Sequence, residues 1–150
     1  MLYPANDFLT QWGLTLGSLC AALALLKVYY RVLGSDLTLH SLPKEIAIAL
    51  GVSLAQAGIV WFLAGLPLDW DLLYDQTGMV FPEIIPVVVY RLTHLTEDMS
   101  HLDVVGIAAT QLALGVSAQC LLAGAYGFAA FVLGLLAMVA FVIGIIVRED

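Results

Sequence analysis

Long uncharged apolar stretches alternate with short clusters of charge along this chain. No Asp, Glu, Lys or Arg lies from Phe8 to Leu26, from Ile46 to Leu68 or from Val104 to Val147. A helix needs about 20 predominantly apolar residues to cross the hydrocarbon core of a bilayer. The first two stretches each hold one such helix, and the third is long enough for two. A break at Gly124-Ala125-Tyr126-Gly127 suits a turn there, because glycine adopts left-handed backbone without a Cβ penalty. The pattern predicts spans at about 8–30, 45–67, 104–123 and 128–147.

Local signals mark the ends of these spans. Ser41 is a helix-capping residue type, and Pro43 suits a first turn, where its missing N–H costs nothing; together they open the second span. Leu66-Pro67-Leu68-Asp69 closes it. Tyr29, Tyr30, Trp70 and Tyr74 are placed to lie at the headgroup level. Met1 to Gln11 holds no Lys or Arg, so the first span lacks the basic flank of a cleavable signal peptide. Lys27 and Glu45 fall at span ends, from which their side chains can snorkel to the interface.

The segment between the second and third spans has a different pattern. Val88, Leu92, Leu95, Met99 and Leu102 recur at spacings of four, three, four and three. At the helical period they share an arc of about 80°. Arg91, Thr93, His94, Glu97, Asp98, Ser100 and His101 fall on the remaining surface. This predicts an amphipathic helix at about 82–103, opened by Pro82 or Pro86. Two arrangements fit it. In the first it lies at the membrane surface with its polar face wet. In the second it crosses as a fifth span whose polar face lines a cavity or a partner, because unpaired charge in lipid costs several kcal/mol.

Composition supports the lipid reading. The chain is 62% hydrophobic and 11% charged, against roughly 45–50% and about 25% for soluble domains. The expected fold is therefore all-α and polytopic, a four-span helical bundle with an amphipathic helix between spans two and three, in one integral membrane domain. A soluble enzyme, a disulfide-stapled secreted domain and a nucleic-acid binder are excluded. Five basic and twelve acidic side chains give a net charge of −7. That leaves no basic stripe for nucleic acid and no polybasic cluster to hold the chain to anionic headgroups. Cys20 and Cys120 each sit within an apolar run, and the expectation for both is a reduced, buried thiol.

Basic residues also set an expected topology. Lys27, Arg31 and Lys44 flank the first connection, whereas Arg91 is the lone base between Asp69 and Asp103. The excess of Lys and Arg places the first connection in the cytoplasm. Four spans then put both termini and the acidic segment outside, in a plasma (inner) membrane.

Candidate chemistry lies mainly on the predicted polar face. His94 and Asp98 are four residues apart, as are Glu97 and His101. Such pairs share a helix face, and their nitrogen and carboxylate donors suit a divalent transition metal. Asp69, Asp71 and Asp75 are candidate further donors. Glu83, between Pro82 and Pro86, and Arg91 are candidates for an ion or proton path. Gly13, Gly17 and Ala21 form a stripe spaced by four, expected to pack within the bundle, with self-association the alternative. Gln56, Gln111 and Gln119 are expected to hydrogen-bond between spans. The run Ala49-Leu50-Gly51-Val52-Ser53 recurs at Ala113-Leu114-Gly115-Val116-Ser117, as an internal repeat would.

Three roles fit these features. The expected one is a non-enzymatic structural or accessory subunit of a membrane assembly, partnered by the lipid bilayer and by other subunits or itself. The alternatives are an oligomeric ion, proton or metal transporter working through the polar face of 82–103, and a membrane-embedded metalloenzyme using His94, Glu97, Asp98 and His101.

Overall fold

The computed structural model describes residues 8–34, 42–64, 84–93, 101–122 and 124–149. These form five helices with no strand among the described residues: α1 (Phe8–Val32), α2 (Leu42–Ala64), α3 (Ile84–Thr93), α4 (His101–Leu122) and α5 (Tyr126–Glu149). The four longer helices are long and apolar enough to cross a membrane. The protein is an all-α helical membrane bundle, as the hydropathy pattern predicts. Pro43 sits in the first turn of α2 and Pro86 in that of α3, where proline is tolerated. The break between the last two spans falls at Gly124, whose φ of +81° fits glycine and strains other residues. Ala125 N–H donates to the Cys120 carbonyl at 2.8 Å and Gly124 N–H to that of Leu121 at 3.1 Å, closing the end of α4.

Side-chain contacts fix the helix directions. Near the Phe8 end of α1, Trp12 bonds Ser53, and Gln111 reaches the Thr15 carbonyl. At the other end, Tyr30 bonds Asp103 and Tyr29 donates to the Ala140 carbonyl. Thus α2 and α4 run opposite to α1, and α5 runs parallel to it. The consequence is topological. α2 finishes at the Phe8 end, but α4 starts at the Arg31 end. Residues 65–100 therefore connect opposite ends of the bundle, and the chain changes sides five times rather than four. Helix α3 packs beside α4 and α2. Its ten residues make a rod of about 15 Å, half of an about 30 Å hydrocarbon core.

The helical bundle with four long spans stands, and the order of helix ends fits the second expected arrangement, with a further crossing between spans two and three; three details differ from the first arrangement. The single amphipathic helix over 82–103 is replaced by α3 and the start of α4, which lie side by side. On one continuous helix Tyr90 and Val104 would stand about 21 Å apart; here both belong to one core cluster with Leu19, Ala49, Val52 and Ile107. Of the predicted apolar stripe, Val88 and Leu92 point outward while Pro86 and Tyr90 are buried. Lipid is as apolar as a core, so the stripe faces lipid and the opposite side meets the bundle. Finally, the start of α1 and the end of α5 lie at opposite ends of the bundle.

The bundle is apolar on its outer surface and holds both an apolar core cluster and buried polar groups inside. Large side chains such as Leu54, Phe62, Phe131 and Phe141 are exposed along its flanks. Helix α5 lies at the rim, with Ala129 buried and most of its larger side chains facing out. Cys20 is exposed and Cys120 half-buried, against the expectation that both are enclosed.

Candidate functional site

The interior where α1, α2 and α4 meet is a seam of neutral polar groups. Gln11, Thr15 and Ser18 come from α1, Ser53 and Gln56 from α2, and Thr110, Gln111 and Ser117 from α4; all are buried. At its centre Gln56 and Gln111 exchange two amide bonds, with Gln56 Nε2 donating to Gln111 Oε1 at 3.1 Å and Gln111 Nε2 to Gln56 Oε1 at 2.7 Å. Gln111 Nε2 also approaches the Thr15 carbonyl at 3.4 Å. One amide pair thereby ties three helices together. Trp12 Nε1 donates to Ser53 Oγ at 2.9 Å, a second tie between α1 and α2. The hydroxyls return to their own helices: Thr15 to the Gln11 carbonyl at 2.8 Å, Ser18 to that of Thr15 at 2.9 Å and Ser117 to that of Ala113 at 2.7 Å. Such bonds let hydroxyl groups stay inside a bilayer without a distant partner.

The glutamine expectation is met by Gln56 and Gln111. Gln119 is half-buried in the last turns of α4. The repeated five-residue runs do not occupy equivalent levels. α2 and α4 are parallel, but Gln56 meets Gln111 rather than Gln119, so the second run lies nearer the Phe8 end than the first. Ser53 and Ser117 are nonetheless both buried and bonded to their own helices.

The stripe Gly13, Gly17 and Ala21 points away from the bundle. A Cβ added at Gly13 or Gly17 would meet nothing within 4 Å. Among the described residues, none packs against Gly13 or Gly17. The reason lies in the same helix: α1 turns Gln11, Thr15 and Ser18 inward, and the small residues occupy the opposite face.

Of the metal and ion candidates, Glu83, His94, Glu97 and Asp98 lie outside the described residues. His101 begins α4 rather than continuing the helix of Arg91, so the shared helix face assumed for these residues does not extend to it. No group of three or more His, Cys, Asp or Glu positioned for a metal occurs among the described residues. Arg91 is half-buried in the last turn of α3.

Glu45 is the residue that sequence reasoning placed differently. It was expected to snorkel; instead it is 7% exposed, in the first turn of α2. The Tyr90 hydroxyl lies within electrostatic reach of the Glu45 carboxylate. Its burial follows from α3, which covers the start of α2. Signals for that cover were present in Pro86 and Tyr90, but the apolar stripe on the other face of α3 outweighed them.

At the Arg31 end, Tyr30 Oη donates to Asp103 Oδ1 at 2.5 Å, and the Tyr29 and Tyr30 rings stand 6.2 Å apart. Gly144 makes the α1–α5 contact close: a Cβ there would come within 3.1 Å of Tyr29 Oη. Tyr30→Phe is expected to destabilise the bundle by about 1 kcal/mol, since it removes one bond to a half-exposed carboxylate. An unfolding titration in mixed micelles would show the change, and Asp103→Asn should give a similar loss.

Compared with protein families, curated proteins and solved structures, the chain has no match.

Proposed function

We propose that the chain is a small, non-enzymatic component of a membrane protein assembly that docks in the plane of the bilayer through the outward face of α1. The observation that carries this is the orientation of that helix. Its polar residues close the bundle from within, while Gly13, Gly17 and Ala21 leave a shallow face on the outside where another helix can approach its backbone closely. Small residues at this spacing favour helix contact in lipid, where apolar area alone supplies no drive.

The orientation we propose rests on the five basic residues of the chain. Lys27 and Arg31 end α1, Lys44 begins α2, Arg91 ends α3 and Arg148 ends α5. The fold brings all of them to the Arg31 end. An excess of Lys and Arg marks the cytoplasmic side, so that end is cytoplasmic, the start of α1 is outside and the end of α5 is inside. A plasma (inner) membrane agrees with this polarity.

Native mass spectrometry after gentle extraction from its own membrane tests the assembly role. A mass that includes a second chain, or a second copy, supports it. The variant Gly13→Leu with Gly17→Leu should weaken that association about tenfold or more. It should leave the isolated bundle within about 0.5 kcal/mol of its original stability, because both positions are exposed. A chain that is monomeric under the mildest extraction, or a complex indifferent to the double substitution, would overturn the proposal.

A further inference from the structure

We draw no further inference here: the strongest candidate, the exposed face of α1 on which Cys20 joins Gly13, Gly17 and Ala21, belongs to the docking surface already proposed, and nothing in the structure shows what covers it.

Discussion

Cysteines introduced as Asp36→Cys and Thr96→Cys are expected to react with a membrane-impermeant thiol reagent from the same side, and Ala125→Cys from the opposite side. The background would be Cys20→Ser with Cys120→Ser. Position 36 links α1 to α2, and position 96 links α3 to α4. In both links the described helix ends lie at the Arg31 end, as Tyr30 and Asp103 establish by bonding each other. Ala125 lies in the turn between α4 and α5 at the other end. Four spans predict a different grouping, with 36 and 125 together and 96 apart. The relative pattern thus reports the number of crossings and the absolute side reports the orientation; the cytoplasmic face should be that of positions 36 and 96. The effect is all or none, because the reagent does not cross the hydrocarbon core.

Gln111→Leu is expected to cost about 2 kcal/mol of bundle stability. It removes both bonds of the amide pair and the approach to Thr15, and it leaves the Gln56 amide, only 1% exposed, among apolar and hydroxyl neighbours. Gln56→Leu should cost a similar amount for the mirrored reason. The double variant should lose clearly less than the sum of the two, since neither amide is then left behind. Reversible unfolding in bicelles, read by tryptophan fluorescence, would give the cycle. Additive losses would mean that the two side chains act independently and that the reciprocal pair does not hold the helices.

Much of the architecture was legible in the chain. Gaps in charge gave all four long helices, with ends displaced by only a few residues, because expelling charge from lipid is a strong and local constraint. Gly124 gave the last turn for an equally local reason. The topology was not legible, and α3 shows why. At ten residues it is too short to register as a span, and its apolar stripe reads alike for a surface helix and for one whose stripe faces lipid. Only the bonds between distant residues, such as Tyr30 with Asp103, reveal which end α4 starts from. The candidate residues divide along the same line. Gln56 and Gln111 were identifiable because an amide in a span must find a partner. Glu45 was not, because its burial depends on a helix nearly forty positions further along the chain. The outward direction of Gly13 and Gly17 was undecided for a similar reason: their spacing fits an internal or an external contact, and the hydroxyls beside them settle the matter only once their partners are known.

The neutrality of the α1–α2–α4 seam has an electrical consequence. A transmembrane potential acts on charge at about 2.3 kcal/mol per elementary charge per 100 mV. The described polar groups deep in the seam are amides and hydroxyls, and the buried carboxylate of Glu45 sits in the first turn of its helix, close to one end of the voltage drop. Rearranging the Gln56–Gln111 pair moves no net charge through the field. Depolarisation and hyperpolarisation therefore exert little force on the closure of the bundle, and its interior holds the same geometry in an energised membrane as in an uncharged vesicle.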